Sequence, residues 1–587
     1  MINRANTWGQ ALKRALPRLP LLDWGRRYDR QTFKEDATAA AIVSVLLIPQ
    51  SLAYALLAGM PAQTGLYMSI LPALLYALLG SSGVMAVGPV ALTSLLTAAA
   101  IGNTGYAAAG PAAYATAAAA LALLSGVMLL LMGLLRLGTL VNFLSHPVMS
   151  AFVSATSVVI IFSQVKVVLG LPASSTQALP MLSSLVQNIH QVHGLTLAVG
   201  ASSLLLLWWT RKSGRNAAVR LGLGKGAADL LCKAMPLVVI VIATAFSAAL
   251  NWQTQGLKVV GTVASALPPF TPPGWDLALW RELALPALLI SVVGFVGSLS
   301  VGQTLAARRR ERIEPDQELV ALGASNVGAA FTGGFPVTGG FSRSVINFDA
   351  GARTPAASAF TALGIGLIAF LFSHWLHHIP QAVLAASIIA AVLSLVDWSM
   401  FKRTWAFAKS DFWAAAITFM ATLLAGLEAG LSLGVVASLA LHLHRSSRPH
   451  IASVGWVPGT EHFRNINRHA VRTSPRLLSL RMDESLYFAN ARALEDRINN
   501  EVAQNPELQH VVLLCSAIND VDDSAVQSLT AIQHRLADAG IALHLSELKG
   551  PVMDKLRATP FLQRLPGPVF LTHYQAIQSL TPDVLVN

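Results

Sequence analysis

Charged residues are scarce in this chain of 587 residues. Only 12% of the residues are Asp, Glu, Lys or Arg, about half the fraction of an ordinary soluble protein. No charged residue occurs from Ala37 to Leu135, and two further charge-free stretches separate Arg136, Lys166 and Arg211. A helix needs about 20 apolar residues to cross a bilayer. The sequence therefore excludes a soluble protein and predicts a membrane protein with several spans in succession.

The sequence also offers little for catalysis. Its two cysteines, Cys232 and Cys515, lie in different parts of the chain and give no disulfide framework. The sequence shows no metal-ligand spacing, nucleophile–base pair or glycine-rich phosphate loop, so we predict neither an enzyme nor a metal or organic cofactor. The first 36 residues are polar and basic, without the apolar core and cleavage site of a signal peptide.

The placement of the basic residues predicts a topology. The formal net charge is +12, and basic residues recur at every second connection between apolar stretches, as the positive-inside rule requires when both termini are cytoplasmic. They lie in the N-terminal arm, at Arg136, at 211–225, at 308–312, at Arg353, at 402–409 and at 445–448. We therefore expect a multi-pass protein of a bacterial inner membrane with an even number of spans and no nucleic-acid partner.

Fourteen apolar segments are expected to span the membrane, and two of them are weak. The weak segments, MAVGPVALTSLLTAAA (85–100) and TGGFSRSVINFDAG (338–351), contain Gly-Pro or Gly-Gly, and each is third in its set of seven. Interrupted segments at matching places in two halves indicate an inverted repeat with a binding site at the bilayer midplane. The predicted spans are 37–58, 64–80, 85–101, 112–135, 146–170, 193–210, 230–250, 282–307, 316–331, 340–350, 355–375, 379–396, 410–426 and 429–446.

The composition changes after the last predicted span. Strand-like and helix-like patterns then alternate, as in RLLSLRMDESLYFANARALEDRINN followed by HVVLLCSAIND. Such alternation predicts a small α/β domain, which we expect on the cytoplasmic side. The predicted parts of the chain are an N-terminal arm (1–36), a transmembrane domain (37–446, with repeats at roughly 37–250 and 282–446), a linker (447–460) and the α/β domain (461–587).

Arg343 is the charged residue that points most directly to a function. It follows a glycine pair and lies between two serines in the second weak segment, and a charge at membrane depth is costly unless it faces a cavity. A half-helix beginning near residue 340, and another beginning at Gly88-Pro89, would direct free N–H groups to the same place. Two helix N-termini of roughly +0.5 each and one arginine give on the order of +2, which suits a mono- or divalent anion. Neutral hydrogen bonds are available from Thr93, Ser94, Ser342 and Ser344.

Alternative interpretations apply to several of these polar residues. If Arg343 lies near the end of a membrane-spanning helix, its side chain would instead extend to the membrane surface. Gln50 in the first span is unusual because a buried amide demands hydrogen-bond partners, so Gln50 and Tyr54 are candidate site residues, with packing as the alternative. Asp316 and Glu318 are interpreted as first-turn acids favoured by the helix dipole.

Three long motifs resemble those of the SulP anion transporters (solute carrier family 26). They are IPQSLAYALLAGMPAQTGLYMSILPALLYALLGSS, AVGPVALTSLL and DQELVALGASNVGAAFTGGFPVTGGFSRSVINFDAGARTP, in that order. The resemblance covers nearly the whole chain, including a C-terminal domain similar to STAS domains. It implies fourteen helices in a seven-plus-seven inverted repeat, divided into a core and a gate domain, and a homodimer.

The same resemblance implies a substrate site. In the family this site lies between the third and tenth helices and faces the first and eighth, and the substrates include sulfate, bicarbonate, chloride, oxalate and dicarboxylates. By motif, the substrate-binding residues of this chain would be Gln50, Tyr54, Gly88, Val90, Ser342 and Arg343.

In one motif the chain departs from the family pattern. Many similar bacterial and plant members carry a glutamate in the eighth helix, where SVVGFVGSLSVGQTLA places Gly297. An intramembrane carboxylate is the natural partner of a coupling proton or sodium ion, so the absence of this acid argues against H⁺ or Na⁺ symport from this position. Coupling through another residue, or a packing role for the position, is the alternative.

The STAS-like domain offers one further candidate. INDVDDSAVQSL resembles the loop whose serine is phosphorylated in soluble STAS proteins, and Ser524 is the matching residue. The alternative is an ordinary helix start, because Asp-Asp-Ser precedes an apolar helical run.

Together these features predict a secondary transporter for an anion of the sulfate, bicarbonate or dicarboxylate class, working by alternating access within membrane lipid. A nucleobase symporter of the same fold is disfavoured, because such proteins typically use carboxylates where this chain has Gly297 and Arg343. The sequence is also compatible with an uncoupled anion channel or exchanger, and with a membrane-anchored regulatory scaffold that acts through the STAS-like domain.

Overall fold

The computed structural model describes residues 19–139, 145–171, 178–220, 222, 224–261 and 268–585. The chain divides into two compact units, Met1–Ser438 and Leu439–Asn587. The described part of the first unit is helical apart from two very short strands, and the second contains a five-stranded sheet.

The elements of the first unit follow one another in chain order. They are α1 (Pro20–Gly25), α2 (Arg30–Leu57), α3 (Ala62–Tyr67), α4 (Leu71–Leu79), β1 (Val87–Gly88), α5 (Ala91–Gly102), α6 (Pro111–Leu134), α7 (His146–Leu169), α8 (Ala178–Gln187), α9 (Gly194–Trp209), α10 (Arg215–Arg220), α11 (Lys225–Ala249), α12 (Leu277–Arg309), α13 (Pro315–Phe331), β2 (Thr338–Gly339), α14 (Phe341–Asp349), α15 (Ala356–His377), α16 (Gln381–Val392), α17 (Trp398–Phe407), α18 (Lys409–Ala425) and α19 (Leu427–Ser446).

A helical segment lies at each of the fourteen predicted spans. Among the described residues, eight helices are long and apolar enough to cross a membrane, so the membrane class is confirmed while the count of fourteen stays a prediction. α17 was not predicted from the sequence, because its basic residues, Lys402 and Arg403, were assigned to a connection.

Local sequence sets where the long helices begin and end. The carboxylate of Asp29 accepts from the N–H of Thr32 at 2.7 Å and starts α2, and Asp276 accepts from the N–H of Ala278 at 2.9 Å and starts α12. Such caps satisfy N–H groups that have no partner inside the helix. At the other end of α7, Gly170 takes a φ of +75°, which glycine adopts without steric cost.

The two weak segments meet in the middle of the first unit. β1 and β2 pair antiparallel, with Val87 opposite Gly339 and Gly88 opposite Thr338, and each strand is followed at once by a short helix, α5 or α14. The pairing therefore brings the N-termini of two half-helices to one place, as the sequence pattern predicts.

Helix α12 holds this crossing from one side. The Oγ1 of Thr338 donates to the carbonyl of Gly294 at 2.7 Å, and the N–H of Gly339 donates to the Oγ of Ser298 at 2.9 Å. A Cβ on Gly294 would lie 3.1 Å from Thr338 Oγ1, which is tighter than ordinary side-chain contacts. The absence of a side chain at Gly294 thus allows α12 to approach β2 closely.

Asp316 and Glu318 do more than complement a helix dipole. Both lie in the first turn of α13, as predicted, but Glu318 is fully buried. Its carboxylate accepts from the hydroxyl of Tyr76 at 2.9 Å and from the N–H and hydroxyl of Ser81 at 2.9 and 2.7 Å. Asp316 accepts from the N–H of Gly138 at 2.8 Å. A buried charge of this kind needs such partners, so Glu318 fixes the turn after α4 against α13.

The second unit is an α/β domain. Its sheet has the order β4-β3-β5-β6-β7, with β5, β6 and β7 parallel and β3 antiparallel to both neighbours. The elements are β3 (Ile451–Trp456), β4 (Phe463–Asn465), β5 (Leu477–Met482), α20 (Ala491–Gln504), β6 (His510–Leu514), α21 (Asp523–Asp538), β7 (Ala542–Ser546), α22 (Gly550–Arg557) and α23 (His573–Leu580).

The predicted alternation of strands and helices after residue 476 is present. The segment 447–460, which was predicted to be a linker, contains β3. Ile451 of β3 pairs with Met482 of β5. Ser524 lies exposed in the first turn of α21, whose N-cap Asp522 accepts from the N–H of Ala525 at 2.8 Å. The helix start is therefore as expected, and phosphorylation of Ser524 stays a prediction.

A buried histidine makes the second unit sensitive to acid. His573 is 1% exposed, and its two ring nitrogens lie 2.8 Å from Ser546 Oγ and 2.9 Å from Ser479 Oγ. Burial lowers the pKa of His573 to about 4, whereas an unfolded histidine has a pKa of about 6.5. The unfolded state therefore binds a proton first as the pH falls.

We expect the stability contributed by neutral His573 to be complete above about pH 6.5 and lost progressively toward about pH 4. Lowering the pH from about 7.5 to about 5.5 removes about 1.4 kcal/mol. Hydrogen exchange of peptides from β6 and β7 in the full-length protein, corrected for intrinsic rates, measures this loss. A His573→Gln variant, which keeps a donor and an acceptor but does not titrate, is the control. An equal loss in that variant would contradict the assignment.

Candidate functional site

A cavity of about 1240 Å³ opens beside the paired half-helices, and we call it the central cavity. Its walls come from α2, α7, α12, α14 and α16, from the first turn of α5, and from residues of α9, α10 and α11 between 207 and 240. The predicted residues that line it are Gln50, Tyr54, Val90, Ser342, Arg343 and Gly297. Residues from both weak segments and from the first and eighth predicted spans thus meet at one place.

Two helix N-termini face the central cavity. α5 begins after Val90 and α14 begins after Gly340, and neither helix has a side-chain hydrogen bond at its N-cap. Val90, Leu92, Gly340 and Ser342 line the cavity. Because first-turn N–H groups have no partner within their own helix and carry the positive end of the helix dipole, these two turns favour an anion. Pro89 precedes the N-cap of α5 rather than starting the helix.

Arg343 is the third residue of α14, so it belongs to one of these two turns. Its side chain is 1% exposed, which is incompatible with the alternative in which it extends to the membrane surface. Nη2 donates to the Oγ of Ser51 at 2.8 Å, while Nε and Nη1 have no hydrogen-bond partner among the described residues. Buried donors of a charged group are costly to leave unpaired, so Nε and Nη1 are available to a ligand that reaches the guanidinium.

Gly88 allows the guanidinium to take this position. It does not line the cavity, but a Cβ built on it would overlap Nη1 of Arg343. Gly88 therefore leaves room for the arginine side chain. It was predicted to bind substrate directly, but it does not line the cavity.

Gln50 and Tyr54 form one side of the cavity on α2, one helical turn apart. Tyr54 is 6% exposed, and the Oε1 of Gln50 is buried without a partner among the described residues. An unpaired amide oxygen beside a cavity is typical of a group that binds water or ligand. The packing alternative does not account for this atom.

Of the four hydroxyl groups that were predicted to donate hydrogen bonds to the anion, only one lines the cavity. Ser342 is exposed to the cavity. Ser344 is buried and accepts from the N–H of Ala86 at 3.1 Å, and Thr93 donates to the carbonyl of Val90 at 3.1 Å. Thr93, Ser94 and Ser344 are not among the residues that line the cavity. Thr93 and Ser344 therefore support the half-helices, while the Oγ of Ser94 is buried without a partner among the described residues.

Gly297 lies on the cavity wall with open space in front of it. A Cβ built on this residue meets no atom within 4 Å, so packing does not require a glycine here. The described acids that line the cavity are Asp349 and Asp397. Asp349 follows Arg343 by six residues on α14, about 9 Å along the helix axis, and Asp397 is the N-cap of α17, where it accepts from the N–H of Met400 at 3.1 Å.

Two further basic residues line the cavity, and their sequence positions indicated only the membrane topology. Arg211 and Arg215 line it along with Arg343, and Nη1 of Arg211 donates to the carbonyl of Ala390 at 2.6 Å. Three arginines and two aspartates thus face the cavity among the described residues. An excess of positive charge in a cleft raises the local concentration of anions.

Comparisons with known proteins agree with this geometry. The family model described as "Sulfate permease family" matches residues 33–418, and the STAS domain model matches residues 468–576. "Sulfate transporter 4.1, chloroplastic" of Arabidopsis thaliana is 34% identical over 541 residues, covering 90% of this chain and 77% of that protein. "Probable sulfate transporter Rv1739c" of Mycobacterium tuberculosis is 32% identical over 563 residues, covering 94% and 96%.

Solved structures show the same fold. The structure of SLC26A9 superposes with a TM-score of 0.87 at 20% identity, covering 99% of this chain and 97% of that one. The transmembrane domain of the cyanobacterial bicarbonate transporter BicA superposes with a TM-score of 0.57 at 20% identity, covering 70% and 98%.

Proposed function

The chain belongs to the sulfate permease family of transmembrane anion transporters and carries a STAS domain, and from this premise we propose that it moves an oxyanion of the sulfate, bicarbonate or dicarboxylate class by alternating access. We place it in a bacterial inner membrane, with both termini in the cytoplasm, as a homodimer. The segments around Arg343 would carry the anion past the wall formed by α7 and α16.

One observation supports the substrate assignment above the others. Arg343 is buried beside the central cavity with two of its three nitrogen atoms unpaired among the described residues, and two uncapped helix N-termini line the same wall. Together they present on the order of +2. This arrangement attracts anions and repels cations, and its N–H donors match the acceptor oxygens of an oxyanion.

For the coupling mode we propose anion exchange rather than proton or sodium symport. Gly297 places no carboxylate on the wall, and Asp349 lies about 9 Å along α14 from Arg343. Neither of the two described acids on the cavity wall, Asp349 and Asp397, belongs to α12, so we propose no cation site next to the anion. The charge moved in each transport cycle is then balanced by a second anion of equal charge that moves in the opposite direction.

Uptake by purified protein in proteoliposomes tests both proposals. Tracer sulfate, bicarbonate, chloride, succinate and oxalate are each offered with and without an inward proton or sodium gradient, and with or without anion inside. We expect saturable oxyanion uptake that requires internal anion and is not accelerated by either gradient. Acceleration by a cation gradient would contradict exchange, and a large voltage-driven current would favour the channel alternative. Absence of transport for every anion would contradict the transporter assignment itself.

A further inference from the structure

The guanidinium of Arg343 is held by a residue that the sequence did not point to. Its bond to Ser51 joins α14 to α2 across 292 positions of the chain. Ser51 is 0% exposed and is not among the residues that line the central cavity. It therefore contacts the arginine from within the protein, on the side away from the cavity.

A second serine lies behind the first. The hydroxyl oxygens of Ser51 and Ser69 are 2.8 Å apart, and Ser69 donates to the carbonyl of Gly65 at 3.0 Å. Ser51 Oγ is also 2.8 Å from the carbonyl of Leu47. Each hydroxyl has one proton and two lone pairs, so Ser51 retains a lone pair for Arg343 whether its own proton goes to Leu47 or to Ser69.

The hydrogen bond from Nη2 to Ser51 restrains one nitrogen of the planar guanidinium. With Nη2 bound to Ser51, rotation of the guanidinium would break a charge-assisted hydrogen bond in a buried place, and Nη1 occupies the space that a side chain on Gly88 would fill. The remaining N–H groups, on Nε and Nη1, are thereby held in fixed directions without partners among the described residues.

We propose that Ser51, supported by Ser69, is a positioning residue that orients Arg343 and so gives the site its preference for oxyanions over halides. The inference rests on the proposed function. An oxyanion accepts directed hydrogen bonds from guanidinium N–H groups, so its binding depends on the orientation of that group. Chloride is spherical and responds mainly to nearby charge, so its binding persists when the guanidinium is free to turn.

The test compares sulfate and chloride in the same proteoliposomes. For Ser51→Ala we expect the KM for sulfate to rise roughly tenfold, the loss expected for one hydrogen bond to a charged group, while the KM for chloride and both kcat values change less than about twofold. Ser51→Thr keeps the hydroxyl and is expected to restore the sulfate preference. Ser44→Ala is the matched control, because Ser44 is a buried serine of the same helix whose hydroxyl bonds to the carbonyls of Ala40 and Thr361, not to Arg343.

The outcomes separate this inference from the proposed function. If the wild-type protein moves none of the anions, the proposed function fails. If it moves sulfate but Ser51→Ala keeps the wild-type ratio of sulfate to chloride KM, or lowers transport of both anions equally, the positioning role is wrong. If Ser51→Ala does not fold, Ser51→Cys replaces the hydroxyl with a much weaker acceptor on a side chain of similar size, and an unchanged ratio in that variant overturns the proposal.

Discussion

Replacing Arg343 with glutamine is expected to reduce kcat/KM for anion uptake by a factor of at least about 100. The variant loses a positive charge on the wall of the central cavity and the buried donors Nε and Nη1, which have no partner among the described residues, and hydrogen bonds to charged groups contribute about 1.5–3 kcal/mol each. Two such bonds correspond to roughly 100-fold or more. Arg343→Lys is expected to retain part of the activity, because an ammonium group supplies charge but not a planar fork.

Tracer uptake and calorimetric binding by purified protein in parallel measure this effect. The matched control is Arg353→Gln, which removes a charge ten residues later, where the Arg353 side chain is 58% exposed and paired with Glu35 at 2.7 Å. Thermal unfolding shows whether each variant is folded. A folded Arg343→Gln protein with wild-type uptake would refute the site, whereas loss of uptake in a folded protein would exclude the scaffold alternative, which does not require this arginine.

Replacing Gly297 with glutamate is expected to make transport depend on protons. The position has no atom within 4 Å of an added Cβ, so the side chain can enter the central cavity, and replacing glycine inside a helix favours the helix by up to about 1 kcal/mol. An ionised carboxylate would offset part of the positive charge at the site and weaken anion binding, while protonation would remove that effect. We expect the KM for sulfate to rise by about tenfold at neutral pH and to fall again in acid.

Proteoliposome uptake with an inward proton gradient measures this change. The gradient is expected to accelerate uptake at least about tenfold in Gly297→Glu and to leave the wild type unaffected. Gly297→Gln is the control, since it has nearly the same size but does not titrate. An equal response of the glutamine variant, or no response of the glutamate variant, would show that a carboxylate at this position does not couple protons to the anion.

Much of the architecture follows from local sequence. Apolar stretches without charge define the spans because each residue contributes independently to the free energy of insertion. The two weak segments were recognised by Gly-Pro and Gly-Gly, which interrupt any helix. β3 was missed, since IASVGW has neither the alternation read in RLLSLRM nor the continuous apolar run of HVVLL, and its place in the sheet depends on pairing with β5.

The candidate site was predictable in part. Arg343 is conspicuous as a charge in an apolar segment, and Gln50, Tyr54, Val90 and Ser342 came from motifs similar to those of the family. Ser51 gave no such signal, because a serine in a membrane helix ordinarily bonds to its own backbone, as Ser51 also does with Leu47 at 2.8 Å.

The sequence by itself determined that this is a membrane protein, that an arginine lies where a helix is interrupted, and that no acid stands at position 297. Only the tertiary structure decided which hydroxyl faces the cavity, why Gly88 must lack a side chain, and what orients the arginine. These features depend on contacts such as those of Arg343 with Ser51 and of Ser344 with Ala86, which join residues 292 and 258 positions apart. Composition and periodicity report the local preference of each segment, whereas the direction of a buried side chain is set by the helices packed against it.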